Sequence, residues 1–513
     1  MLLSSLSLLF PVLLPGACSK DKSPAPVDLY EFPAPDAWEP LSGPAGPAVS
    51  FSESELWQHC AYLTGGAEDV QHHNLAVVRD GYLWLPWAPE DGGGGLTIFD
   101  FSDPCDPVKV GEAYAEGMRE SHTMAFGVVD GREYLAVDYQ TPGADGSAGG
   151  IGFWDVTDRT DPRWVSALEL PNYDYPDAYF RVVLSTFWQG DVLYAVAGLN
   201  GVFAVDVSDP LDPQLVSQHS VVAHIMGTLH VVGNLGLASS AGLAQTTFYD
   251  LSDPWALEPV AGGDWQTEDR YGDLQGYYFA SLGGEYALFA RNTEGGGPII
   301  YDVSDPSAPA FVGDHYTPDA DGGYVFRHND WLFQGESNFG AVYDITDPTD
   351  PVQWQTFDLQ GDLDTVTPVG NVAVISVDDD ANDGQSTAVM PWAAEPDSMG
   401  PTAKLVNPAD GDTFVTTLGR VGASFDEMIE HGSVFEGSFR VWNERGDPIP
   451  GRFNTQENIV NFTPDEPLEA DTTYLVEIPA GGVTDISGNP TEGSLAWVFS
   501  TGDAINDPRG EGE

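Results

Sequence analysis

The sequence predicts an all-β protein: a seven-bladed β-propeller followed by an Ig-like β-sandwich. Three observations carry this. One short phrase recurs six times, its first aspartates spaced by 55, 51, 44, 52 and 42 residues, and a recurrence of this size marks a repeat architecture. The chain of 513 residues holds 58 Gly and 39 Pro against 18 Lys and Arg, which suits many short strands joined by tight turns rather than long helices. Beyond residue 400 the phrase stops, and alternating strands with frequent turn signals take over, the pattern of a sandwich.

The six copies read D-F-S-D-P-C-D-P (100–107), D-V-T-D-R-T-D-P (155–162), D-V-S-D-P-L-D-P (206–213), D-L-S-D-P-W-A-L (250–257), D-V-S-D-P-S-A-P (302–309) and D-I-T-D-P-T-D-P (344–351). Each comes after an apolar strand, a Gly or Asn turn, a second strand and a third ending in the Asp. V-L-Y-A-V-A, G-L-N-G and V-F-A-V-D-V over 192–207 show the pattern. Asp, Ser and Thr side chains bond nearby backbone amides, and Pro presets the turn and stops the strand. The segment after the phrase, such as Pro107 to Gly111, reads as an outer edge strand, where Pro is tolerated. Four strands per repeat make a propeller blade. After Asp344 come V-A-V-I-S-V (372–377) and T-A-V-M-P-W (387–392), with Met390 where the Asp would stand. This is read as a degenerate seventh blade whose outer strand comes from the N-terminal segment near 27–55. A six-bladed ring is the alternative.

Residues 50–395 resemble the LVIVD-repeat family of exported bacterial propellers, on the recurring aliphatic-Asp-Val-Ser-Asp-Pro phrase. The resemblance implies a β-propeller outside the cytoplasm and no agreed activity. Residues 400–502 carry V-N-P-A-D-G-D (406–412), F-T-P-D-E-P-L (462–468), T-T-Y-L-V-E-I (472–478), T-D-I-S-G-N-P (484–490) and W-V-F-S-T-G (497–502). They resemble bacterial Ig-like domains of the Big_5 (SbsA-like) type. That resemblance implies a spacer or adhesive module at a cell surface and brings no catalytic residues. The tail 503–513 is expected to be disordered.

The N-terminus reads as an export signal. Leu2 to Leu14 is a short apolar run, after which Pro15-Gly16-Ala17-Cys18 stands. Such a run ending in small residues is a signal peptide and not a spanning helix. Cys directly after Gly-Ala resembles the lipobox of bacterial lipoproteins, which implies lipidation of Cys18 and a protein anchored to the outer membrane or cell surface. Pro15 departs from the usual Leu of that motif. Residues 19–49, rich in Pro, Ala and Asp, read as a flexible stalk. Cys60 and Cys105 remain as an even pair, suited to a disulfide in an oxidising compartment or to two separate thiols. The net charge of −62 repels phosphate backbones and anionic lipid, so nucleic acid is not an expected partner and contact with a membrane is expected only through the anchor.

Chemistry is concentrated in a set of histidines. His72, His122 and His224 each lie nine residues before a turn glycine, Gly81, Gly131 and Gly233. Equivalent positions at the start of the innermost strands would converge on the central channel. Asp177, Asp273, Asp321 and Asp364 are the counterparts in other blades, with His73 and Glu120 adjoining. Imidazoles and carboxylates so placed suit a divalent transition metal or acid–base work; they equally suit a polar channel wall. D-D-D-A-N-D-G (378–384) offers Asp378, Asp380, Asn382 and Asp383 to Ca²⁺, although the spacing of an EF-hand fails and an exposed acidic hairpin fits as well. The glycine runs at 92–95 and 295–297 are hairpin turns, not phosphate loops, since neither is succeeded by Lys-Ser/Thr. Trp255 and Trp265 are candidates for stacking on sugars. With no complete catalytic signature, the sequence favours a binding protein over an enzyme. The expected partner is a protein or glycan of the cell envelope, and the alternative is a metal-dependent oxidase or hydrolase with a His-lined channel.

Overall fold

The computed structural model describes residues 46–66, 75–88, 93–174, 180–220 and 225–502. The leader with Cys18, the tail 503–513 and His72, His73, Asp177 and His224 lie outside the described residues. The described residues hold no α-helix; seven four-stranded antiparallel sheets precede a four-stranded and a three-stranded sheet.

Blades 1 to 6 span 77–115, 125–169, 185–219, 226–266, 277–314 and 325–357, each strand pairing with the next in sequence. In blade 3, Val192–Val196 is wholly buried and Val202–Asp206 buried but for its last residue, whereas the outer strand Gln214–His219 is mostly exposed. Middle strands are covered on both faces by neighbouring blades, which is why they read as continuous apolar runs. Burial contributes roughly 1.5–3 kcal/mol for each large apolar side chain.

The recurring phrase does the same structural work six times. Its first Asp accepts the amide two residues on, at 3.0, 3.1, 2.9, 2.8, 2.9 and 2.8 Å in blades 1 to 6. Its second Asp does likewise, at 3.0–3.1 Å, onto Cys105, Thr160, Leu211, Trp255, Ser307 and Thr349. In every one of these blades the register between third and outer strands shifts just before the first Asp. The bulge bends the edge and ends the ladder, and the two side-chain turns then hold the corner.

Blade 7 consists of Thr365–Val369, Val372–Ser376 and Thr387–Pro391, and its outer strand is Ala61–Leu63. Ala61 pairs with Val389 and Leu63 with Thr387, closing the ring. This corrects the expected origin of that strand near 27–55. Cys60 and Cys105 are joined by a disulfide, so the closing strand is tied covalently to the phrase of blade 1. Residues 46–49, expected as the end of a stalk, pack on the body: Asn371 Nδ2 donates to the carbonyl of Val49 at 2.8 Å.

The sandwich pairs Ala403–Asn407, Val421–Phe425, Ile459–Pro464 and Gly451–Gln456 in one sheet, in that spatial order, and Arg440–Asn443, Thr473–Ile478 and Leu495–Ser500 in the other. Phe425, Phe439, Val476, Trp497 and Phe499 form its core. Its four-stranded sheet lies on the innermost strands of blades 2 to 5. The seat is built from the tight turns that end the innermost strands. At the first turn position of five blades, the amides of Asp80, Gly190, Gly233, Gly284 and Asn329 donate to Glu430, Asn454, Asn461, Ser424 and the carbonyl of Asp426, at 2.8, 2.9, 2.7, 3.1 and 2.9 Å. Gly233 has φ 59°, and a Cβ there would lie 2.2 Å from the Asn407 carbonyl oxygen, so both conformation and close approach require glycine. Met428, Ile429 and Ile486 of the sandwich meet Leu75, Met124, Phe126 and Phe326 at the channel floor around a void of about 30 Å³. The sandwich therefore closes one end of the propeller instead of standing off as a separate spacer.

Candidate functional site

The innermost strands run from the opposite mouth of the channel toward the sandwich, so residues preceding them gather at that mouth. His122 stands three residues before Ala125–Val129 of blade 2, with a buried ring. Its carbonyl accepts from the hydroxyl of Tyr324, just ahead of the blade 6 strand Val325–His328, at 2.8 Å. Its ring packs 5.8 Å from that of Phe279 in blade 5, and Phe279 stacks on Tyr324 at 4.5 Å. The backbone nitrogen of Tyr324 donates to the carbonyl of Asp364 in blade 7 at 2.8 Å. An aromatic layer of Tyr278, Phe279, Tyr324 and Phe326 thus separates the polar mouth from the apolar floor.

Above that layer the charges are mostly acidic. Glu120 is buried, with Oε1 3.6 Å from His122 Nε2. Asp364 is buried and held well above the usual carboxylate range, first by burial and then by repulsion from Asp378, Asp362, Glu120 and Asp321. Asp138 is raised well above its ordinary value by burial, against the opposing pull of the Tyr139 amide, Arg119 and the Tyr173 hydroxyl. Burial and nearby carboxylates likewise raise Tyr324. Carboxyls pushed toward their protonated form can donate a hydrogen bond as well as accept one. The mouth is suited to a cation, or to a ligand bearing amines or hydroxyls.

The expected site residues divide. His122, Glu120 and Asp364 lie together at the mouth, with Asp321 near enough to repel Asp364. Asp273 does not join them. It is exposed in a groove of about 910 Å³ between blades 5 and 6, where its amide donates to Asp269 at 3.0 Å. In the acidic loop, Asp378 acts electrostatically on Asp364 and Tyr324. Asp380, Asn382 and Asp383 are exposed, and Asn382 Nδ2 bonds Gln385 at 3.2 Å. Trp255 is buried, and Trp265 is half-buried against Phe248, ring centroids 5.6 Å apart, so both belong to packing between strands and blades. Tyr324, Tyr278, Arg119 and Asp138 were not visible as site residues in the sequence. The one signal was that Arg119 and Glu120 adjoin a histidine already singled out.

Among the described residues, one set of metal-ligating side chains comes within 4.8 Å of one another, and it lies elsewhere: His328, Asp397 and Glu427, where the sandwich meets blade 6. No described helix is long and apolar enough to cross a membrane.

Comparison with known proteins agrees with this architecture. Residues 90–114 and 281–317 match the LVIVD repeat, and residues 397–501 match a bacterial Ig-like domain, Big_5. No curated protein matches. Solved structures with a similar fold include the WD40 repeats of RRP9 (10% identity, TM-score 0.47, covering 67% of this chain and 99% of that one). A protein from Lactobacillus plantarum is similar at 13% identity, TM-score 0.46, covering 64% and 98%. The periplasmic gluconolactonase of Pseudomonas aeruginosa is similar at 11% identity, TM-score 0.45, covering 54% and 83%. At these identities the likeness concerns the fold. The chain carries LVIVD repeats in a β-propeller and a C-terminal Big_5 domain.

Proposed function

We propose that this propeller with its bacterial Ig-like domain is an exported cell-surface binding protein, held through Cys18, that takes its ligand at the acidic mouth of the channel. The observation behind this reading is the convergence of Glu120, His122, Tyr324 and Asp364 from blades 2, 6 and 7 at the end that the sandwich leaves free. The ligand that fits is a hydroxyl- or amine-bearing group of an envelope glycan or protein. The sandwich closes the other end and stiffens the ring. Binding of the purified protein to glycan arrays and envelope extracts tests this. Asp364→Asn should weaken capture at least tenfold, while Asp212→Asn, on an exposed outer turn, should leave it unchanged. Equal capture by both variants would refute the mouth as the site.

The enzyme reading places a transition metal on His122 with His72 and His224, and the buried Glu120 beside His122 favours it. Such an ion would polarise a substrate oxygen or activate a bound water. Elemental mass spectrometry distinguishes the two readings. Metal lost in His122→Ala promotes the channel to a catalytic candidate, and metal content independent of His122 returns it to ligand binding.

A further inference from the structure

The junction between propeller and sandwich holds a second cluster that the proposed function does not use. His328 ends the innermost strand of blade 6, Asp397 lies in the segment joining the two domains, and Glu427 lies just past the sandwich strand Val421–Phe425. Their side chains are 8%, 8% and 1% exposed. Glu427 Oε2 is 3.3 Å from His328 Nδ1, and Asp397 Oδ2 is 3.6 Å from Nε2. Trp392 packs edge-on against the imidazole, centroids 5.8 Å apart, and fixes its plane.

Two facts point to a cation here. First, three buried carboxyls crowd around a single imidazole. Glu427 Oε1 and Asp397 Oδ2 are fully buried and receive no N–H donor within hydrogen-bond distance among the described residues, and Asp397 lies against both Glu427 and Asp485. An unpaired buried polar atom is destabilising, and more so when charged. Second, one candidate ligand atom from each of the three lies within 4.8 Å of the other two. An ion bonded at about 2.0–2.2 Å to each closes that span with small side-chain adjustments. Lys404 pairs with the neighbouring Asp426 at 3.5 Å and so is not the cluster's counter-ion.

We infer that His328, Asp397 and Glu427 form a divalent transition-metal site of the zinc class, which clamps the sandwich to blade 6. One ring nitrogen of His328 and one oxygen from each of Asp397 and Glu427 take the ion. Asp485, held by Asn489 through Nδ2 at 2.8 Å and the backbone amide at 2.7 Å, stands beside Asp397 as a third oxygen donor and fourth ligand. One imidazole among carboxylates selects a zinc- or manganese-like ion over calcium, whose preference is for oxygen alone. Because its ligands come from blade 6, the connecting segment and the sandwich, the ion would hold the docked arrangement more than either domain alone.

The test uses the purified full chain, stripped with a chelator and dialysed against zinc. The wild type is expected to hold one more zinc per chain than Glu427→Gln, a change that preserves shape, and than His328→Ala. Zinc is expected to raise the thermal midpoint of the wild type and not of Glu427→Gln. Equal zinc in wild type and Glu427→Gln overturns the site. So does zinc that is lost in His122→Ala and kept in Glu427→Gln, which assigns the ion to the channel. Stabilisation by calcium and not by zinc overturns the imidazole ligation. Circular dichroism of each variant shows that it is folded, so loss of metal is not loss of structure.

Discussion

Asn461 of the sandwich satisfies three propeller groups with one side chain. Its Oδ1 accepts the amide of Gly233 at 2.7 Å and Gln189 Nε2 at 3.1 Å, and its Nδ2 donates to the carbonyl of Val231 at 2.8 Å. All of these groups are buried. Blades 3 and 4 therefore depend on a residue far along the chain for their polar balance. Asn461→Ala leaves the Gly233 amide and the Val231 carbonyl unpaired, at about 1–3 kcal/mol for each group. The expected result is a loss of about 3 kcal/mol in urea unfolding and faster proteolysis between residues 392 and 402. An unchanged transition would show that the docking is not coupled to propeller stability.

Glu336 makes stability depend on pH. It is buried beside Tyr343, whose hydroxyl donates to it, and it accepts the Gly297 amide at 3.2 Å. Burial pushes its carboxyl up to about 7 from 4.5. The folded state therefore holds the proton more tightly than the unfolded chain. Its stabilising contribution is complete below the unfolded value and is lost as pH rises through about 7, amounting to about 3 kcal/mol. Chemical denaturation of the wild type at several pH values between 5 and 8 should show this slope, and Glu336→Gln should flatten it.

Acid is expected to loosen the seat of the sandwich. His431 bonds Thr455 at 2.8 Å and faces Arg79, Asp80, Glu133 and Arg159. Burial, with Arg79 second, lowers its pKa to about 4. A histidine depressed in the folded state releases its proton on folding, so stability is lost as pH falls from about 6.5 towards about 4. Asp80, whose pKa is lowered in the folded state, works in the same direction at lower pH. Hydrogen-exchange protection at the amides of Asp80 and Gly432, corrected for intrinsic rates, should be lower at pH 5 than at pH 7, and less so in His431→Asn.

Reducing the Cys60–Cys105 disulfide opens a loop of 45 residues. The entropy of closing a loop of that length is worth about 4 kcal/mol at room temperature. The Cys60→Ser, Cys105→Ser double variant should unfold at a correspondingly lower denaturant concentration, and reductant should shift the wild type and leave the variant alone.

How much of this was legible in the sequence depended on how local the signal was. The six phrases were legible because each Asp bonds an amide two residues away; spacing alone revealed the turn. His122 was legible by its distance from Gly131. Asp273 misled, because blade 5 inserts a surface loop with turns at Asp269 and Gly272 ahead of its first strand, so counting back from a turn leaves the channel. The closing strand Ala61–Leu63 has three residues, too few for an alternation to show. His328, Asp397 and Glu427 come from three separate segments that docking brings together, and no one of them has a neighbour that marks it. The sandwich itself was plain from its phrases, but its place over the hairpin turns rests on single amides that carry no sequence signature.

The ring closes with a strand that is made first and used last. Ala61–Leu63 leaves the ribosome before any blade exists, yet its partner strand Thr387–Pro391 ends the propeller. Pairing over so long a separation is slow to form. Until it forms, the unfinished sheet keeps a bare edge open to other chains. The hairpin turns that seat the sandwich have no common circle to lie on before closure. Docking thus reports that the ring is complete: a chain from which the closing strand alone is removed would keep its final domain and lose the closed ring on which that domain settles.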